Sequence, residues 1–168
     1  MILGVVLAGG RSSRFGSNKA AALFEGRALV EHARAVLAPH VATTMIVGGE
    51  AGDMPDLPRP DMGPLGGIAG ALDRAGALGY ASVITIACDM PRVPEGLIAA
   101  LARQIPSYCA DVPVLGHWPV AVGAALRANI DAFPDRSVRR WARSIGAVPI
   151  ESDSPIPNVN TPAELAAL

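Results

Sequence analysis

A buried strand that runs without pause into a glycine-rich, cationic loop is the most constraining feature of this sequence. Ile2 to Ala8 is a short apolar run of the kind that forms a strand covered on both faces. Gly9 and Gly10 end it, and Arg11, Ser12, Ser13, Arg14, Gly16 and Lys19 follow before the apolar pattern resumes at Ala20. Such a junction presents backbone N–H groups and positive charge to phosphates. Lys19 sharpens the reading, because it is the only lysine; the other thirteen cationic side chains are arginines. An ammonium is a compact point charge that reaches into a phosphate cluster, whereas guanidinium is a wide planar fork.

Downstream, the periodicity alternates between strand and helix. Ala28 to Leu37 carries apolar residues at helical spacing and is closed by Pro39, and Thr43 to Val47 is a β-branched run ended by Gly48 and Gly49. Pro55, Pro58, Pro60 and Pro64 stand among aspartates in a stretch that reads as an extended loop. The spacing predicts helices over 66–78, 95–104, 124–132 and 137–144. It predicts strands over 82–87, 110–115, 119–122 and 147–150, with Gly116-His117-Trp118 as a connector. Thr161, Pro162 and Glu164 have the spacing of a capping box that opens a last helix. This order implies an α/β sandwich with a mostly parallel central sheet, formed by residues 1–168 as a single domain. In such sheets ligands bind beyond the carboxyl ends of the strands, so the loops at 8–19, 48–64 and 88–92 are expected to share one edge.

Composition closes off other classes. A net charge of −1 argues against a nucleic-acid partner. No apolar segment approaches the roughly 20 residues of a membrane span. The N-terminal apolar run is too short, and lacks the cationic flank, for a signal peptide, so a cytoplasmic protein is expected. Cys88 and Cys109 make neither a disulfide framework nor a metal cluster.

The opening loop fits neither a Walker loop, since Ser17 follows Gly16, nor the dinucleotide fingerprint. It reads L-A-G-G-x-S-x-R-F-G-x-x-K, which resembles the signature of the molybdenum cofactor guanylyltransferase family. Asp56 to Leu65 with Gly66-Gly67-Ile68 is similar to that family's D…GPLAG segment. Cys88-Asp89-Met90-Pro91 resembles its C-D-x-P motif, His117-Trp118-Pro119 its H-P segment and Asn158-Val159-Asn160-Thr161-Pro162 its N-x-N-T-P tail. These five motifs, in family order, cover nearly the whole chain.

The resemblance implies a Rossmann-like three-layer sandwich of nucleotidyltransferase type, whose N-terminal part binds nucleotide and whose C-terminal part binds molybdopterin. It implies GTP and molybdenum-bearing molybdopterin as substrates and Mg²⁺ as cofactor, with contact to a molybdoenzyme or cofactor chaperone as a further partner. Leu7, Ala8, Gly9, Gly10, Lys19, Asp56 and Asp89 fall at nucleotide-binding positions, with Asp61 a near competitor of Asp56. Lys19, Arg14 and Asp89 fall at catalytic positions, Asp89 also as the metal ligand. Asn158 and Asn160 fall where the family meets the pterin. Physically, Asp89 follows a buried strand directly, and a carboxylate beside triphosphate serves best by holding a hard cation. Cys88 reads as a small buried residue, because nothing basic flanks it. The arginines at 136, 139, 140 and 143 form a cationic helix face, either solvated or directed at the pterin's phosphate.

Two departures stand out. Asn18 precedes Lys19 where the family usually has Asp. Gly48-Gly49-Glu50 occupies the place where the family often has an asparagine contact to the base, which suggests recognition through backbone groups. A related enzyme using CTP or another phosphorylated acceptor, and a nucleotide-binding homologue with impaired catalysis, are the alternatives.

Overall fold

The computed structural model describes residues 1–9, 19–49 and 52–168. The opening run forms β1 (Ile2–Leu7), and Lys19–Ala21 is a single 3-10 turn. A small ribbon of β2 (Leu23–Phe24) and β3 (Arg27–Ala28) leads into α1 (Leu29–Leu37) and then β4 (Thr43–Val47). Next come α2 (Gly63–Ala77), β5 (Ser82–Ala87), α3 (Leu97–Arg103), β6 (Ser107–Cys109) and β7 (Gly116–Pro119). The chain continues through α4 (Gly123–Asn129), α5 (Val138–Ser144) and β8 (Val148–Ile150) to α6 (Pro162–Ala166). Among the described residues, no helix is long and apolar enough to cross a membrane.

The main sheet has the order β4-β1-β5-β7-β6-β8. β1 pairs in parallel with β4 and β5, β6 pairs in parallel with β8, and β7 runs antiparallel to both of its neighbours. Five strands therefore point one way, and their carboxyl ends reach one edge. β1 alternates strictly, as a doubly covered strand must: Leu3, Val5 and Leu7 join a core with α2, α4 and α5, while Val6 joins a second core with α1 and α3. The result is the expected α/β three-layer sandwich.

The structure moves several boundaries. Pro64 lies in the first turn of α2, where a missing N–H costs no helical hydrogen bond, so the helix begins at Gly63 rather than 66. Gly96 adopts φ +83° and delays α3 to Leu97. The strands expected over 110–115 and 119–122 are instead the loop before β7 and a 3-10 turn after it, and the supposed connector is the strand. The reason is tertiary. The Trp118 ring lies across Gly116 and against Trp141 of α5, centroids 4.8 Å apart, and its Nε1 donates to Thr85 Oγ1 at 2.8 Å. On the other face, His117 is 3% exposed, with Nδ1 3.0 Å from the Leu101 carbonyl and Nε2 2.9 Å from Ser82 Oγ. Ser82 opens β5, at the opposite end from the site described below. His117 is thus a buried strand residue with both ring nitrogens engaged.

Candidate functional site

A cavity of about 640 Å³ opens at the carboxyl edge of the sheet, over the ends of β4, β1 and β5. The chain passes from β1 out to β4 and back past β1 to β5, so strand order reverses beside β1 and leaves a crevice there. Leu7, Ala8 and Gly9 form its floor, with Val47 and Ala87 from the flanking strands. Ala8 N donates to Val47 O and Cys88 N to Leu7 O, so the three strand ends are tied together where they meet the cavity.

Lys19 and Asp89 meet there. Lys19 Nζ lies 2.8 Å from Asp89 Oδ2, with side chains only 16% and 19% exposed, and 3.2 Å from Asn160 Oδ1. Residues 70 and 141 positions apart in the chain are thus brought to one ammonium. The tail reaches it because Val159, buried, donates its N–H to Asp89 O at 3.0 Å. The capping box holds the next turn: Thr161 Oγ1 accepts from Glu164 N at 3.1 Å and Glu164 Oε2 accepts from Thr161 N at 3.2 Å. Asn158 is exposed and lines the cavity.

Asp56 comes from the proline-rich loop, and the glycines of α2 explain how it gets close. A Cβ at Gly70 would overlap the Pro55 carbonyl, and Leu57 N donates to Gly66 O at 3.0 Å, so the loop lies directly on the helix. Asp56 is half-buried in the cavity wall, and burial, reinforced by the charge of Asp61, raises its carboxyl above the ordinary range. Asp61 also lines the cavity, so both acids of this loop reach it. The Arg136 guanidinium donates to the Asp61 carbonyl at 2.7 Å, whereas Arg139 and Arg140 bind Ala110 O and Asp135, away from the cavity wall.

Gly48 is a packing residue here rather than a donor to a ligand. Its N–H goes to Met54 O at 3.0 Å, it adopts φ +72°, and a Cβ on it would come within 2.8 Å of Gly9 Cα. The bare glycines let the end of β4 press against the end of β1. Cys88 lines the cavity too, but burial, and then the neighbouring Asp89 charge, push its thiol up to about 11. It is no nucleophile near neutral pH. Gly10 and Arg14 lie outside the described residues.

A metal ion was expected on Asp89. Among the described residues, no three acidic, histidine or cysteine side chains cluster to hold an ion unaided. Asp89 nevertheless offers a carboxylate beside the cavity, held by an ammonium. Mg²⁺ typically takes one or two carboxylates and completes its shell with phosphate and water, so this donor set fits such an ion. Sequence reasoning saw Glu164 only as a capping residue and missed that its carboxylate also accepts from Asn160 N, at 2.6 Å. It also missed Val112 and Val114, which close the cavity from the loop before β7. Their signal was masked because that loop read as a strand.

Comparison with known proteins accords with this geometry. Residues 4–148 match the family model described as the MobA-like NTP transferase domain. A molybdenum cofactor guanylyltransferase of Rhodobacter capsulatus is 36% identical over 179 residues, covering 98% of this chain and 93% of that protein. The chain belongs to the MobA-like molybdenum cofactor guanylyltransferase family. Another of its members, from Rhizobium leguminosarum, is 33% identical over 188 residues, covering 98% of this chain and 90% of that protein. The fold agrees with the crystal structure of molybdopterin-guanine dinucleotide biosynthesis protein A from Archaeoglobus fulgidus. That structure has a TM-score of 0.75 at 22% identity, covering 98% of this chain and 95% of that one. In this chain Leu7 to Gly9 at the strand end, Asp89 after β5 and Asn158 of the tail all line one cavity.

Proposed function

We propose that this family member transfers GMP from GTP to the terminal phosphate of molybdenum-bearing molybdopterin, giving the guanine dinucleotide cofactor and pyrophosphate. The observation that carries the reading is the Lys19–Asp89 pair beside the glycine floor of the cavity. Cation, carboxylate and closely approached backbone are what a triphosphate and its counter-ion require. The nucleotide lies over Leu7, Ala8, Gly9 and Gly10, with Asp56 at its nucleoside end. The pterin lies over the second half of the same domain, reached by Asn158 and Asn160.

In the reaction, an oxygen of the acceptor phosphate forms a bond to the α-phosphorus of GTP as the α–β bridging bond breaks and its electron pair leaves with pyrophosphate. A phosphomonoester loses its second proton near pH 6, so the nucleophile is already ionised at neutral pH and no general base is needed. The Cys88 thiol, pushed up to about 11 chiefly by burial, stays protonated near neutral pH, which agrees with direct transfer. Lys19 and Arg14 neutralise the phosphates and the leaving group, and the fixed glycine backbone lets them approach. Asp89 is the residue that holds Mg²⁺, and the bound ion supplies charge neutralisation at the phosphates. The enzyme works in the cytoplasm and hands its product to a molybdoenzyme or a cofactor chaperone.

Calorimetry with GTP, CTP and ATP in the presence of Mg²⁺, on the native protein and Asp89→Ala, tests this. GTP alone is expected to bind, and Asp89→Ala is expected to lose the Mg²⁺ dependence. Preference for CTP overturns the base assignment, and absence of binding by all three overturns the enzymatic reading.

A further inference from the structure

We infer that Glu164 is a positioning residue that fixes the Lys19 ammonium through Asn160. In an ordinary capping box the acidic side chain reaches back to the N–H of the capping residue alone. Glu164 does more. Its Oε2 accepts from Thr161 N at 3.2 Å and, at the shorter distance of 2.6 Å, from Asn160 N. The residue before, Val159, is buried and bonded through its N–H to Asp89 O. Asn160 is therefore held on both sides along the backbone, and its Oδ1 meets Lys19 Nζ at 3.2 Å while Asp89 Oδ2 meets it at 2.8 Å.

The consequence concerns a flexible side chain. A lysine stem has four rotatable bonds, and its ammonium is the least predetermined part of a phosphate site. Gripping it between a carboxylate at the end of β5 and a carboxamide on the tail sets its direction before any ligand arrives. That is the preorganisation that electrostatic stabilisation of a transition state depends on. The catalytic effect rests on the nucleotidyl transfer proposed above; the gripping itself does not.

Lys19 is the only lysine, so lysine labelled with ¹³C gives a single side-chain Cε signal and an unambiguous reporter. In the native protein without ligand, its two Hε protons are expected at distinct shifts. Glu164→Ala and Asn160→Ala are expected to collapse them to one averaged shift. Glu164→Gln, whose amide oxygen still accepts from both N–H groups, is expected to keep them apart. Asp153→Ala removes an exposed acid from the same tail and is expected to change nothing. Pyrophosphate release is expected to fall about tenfold or more in Glu164→Ala and to be largely recovered in Glu164→Gln. A Glu164→Ala signal as dispersed as the native one, or a Gln variant as disruptive as Ala, overturns the inference. If the Lys19 signal responds as expected but GTP does not bind, the positioning stands and the proposed reaction falls; if GTP binds and the signal is indifferent to Glu164, the reverse holds.

Discussion

Gly48→Ala tests how tightly the ends of β1 and β4 are joined at the cavity floor, and Gly49→Ala supplies its internal control. Both glycines adopt φ +72°, so both substitutions carry the same left-handed backbone cost, about 1–2 kcal/mol. Part of that cost is offset by the lower entropy of the unfolded alanine chain, about 0.4–1 kcal/mol. They differ in space. A Cβ at position 49 would meet the Ala8 carbonyl at an ordinary 3.5 Å, whereas one at 48 would stand 2.8 Å from Gly9 Cα and 2.9 Å from Gly9 N. Opening the first of these contacts from 2.8 Å to 3.4 Å moves backbone by about 0.6 Å, with no side chain able to yield instead. Overpacking of that kind costs about 1–3 kcal/mol. Gly49→Ala should therefore lose about 1 kcal/mol and Gly48→Ala about 2–4, which at about 2–4 °C per kcal/mol for a chain this size is a Tm drop of about 2–4 °C against about 4–16 °C. Because the displaced atoms belong to the cavity floor, GTP affinity should fall about tenfold or more in Gly48→Ala and much less in Gly49→Ala. Differential scanning calorimetry with parallel nucleotide titrations measures both. Equal destabilisation of the two variants would refute the claim that the β1–β4 contact excludes a side chain.

Two further expectations concern titration. The Asp56 carboxyl is raised by burial, so the folded protein binds its proton more tightly than the unfolded chain does; stability then falls as pH rises from about 4 through the folded pKa, and ionised Asp56 is a liability at neutral pH. Asp56→Asn should be more stable than the native protein at pH 7, lose that advantage below about pH 4, and bind nucleotide more weakly; urea unfolding across this range decides it. His117 has the opposite sign: burial lowers its pKa, so the unfolded chain takes up the proton first and stability falls as pH drops below about 6.5. His117→Gln should cost about 2–4 kcal/mol at pH 7.5 and show a shallower loss between pH 7 and 5 than the native protein, and a slope equal to the native one would remove His117 from the acid response.

Much of the fold was legible because its elements obey one period over enough residues. β1 is a continuous apolar run, β5 is a buried run rich in β-branched residues, α1 keeps a helical stripe, and the capping box at Thr161 and Glu164 is a purely local signal that the structure reproduces. Between residues 107 and 119 the strands are three and four residues long, too short for a period to show. There the deciding interactions are remote. Gly116, His117 and Trp118 read as a connector until Leu101, Ser82 and Thr85 supply the partners that let His117 and Trp118 be buried. The site divides similarly. Strand order put the loops carrying Lys19 and Asp89 at one edge and the motif resemblance assigned Asn160 to the pterin; the structure brings the Lys19 ammonium within hydrogen-bonding distance of both Asp89 and Asn160. What no local pattern conveyed was the packing beneath: the proline loop seated on the glycines of α2, which half-buries Asp56, and the second hydrogen bond of Glu164.

The bond between Lys19 and Asn160 joins residues 141 positions apart, so an unbroken chain lowers the entropic cost of bringing the carboxamide to the ammonium. A fragment cut anywhere between them can retain β1, β4 and β5 side by side and still lack the covalent connection that delivers the carboxamide. Partial proteolysis should silence the enzyme before it dismantles the sheet, and an intact Lys19 environment is a sensitive index of a fully assembled molecule.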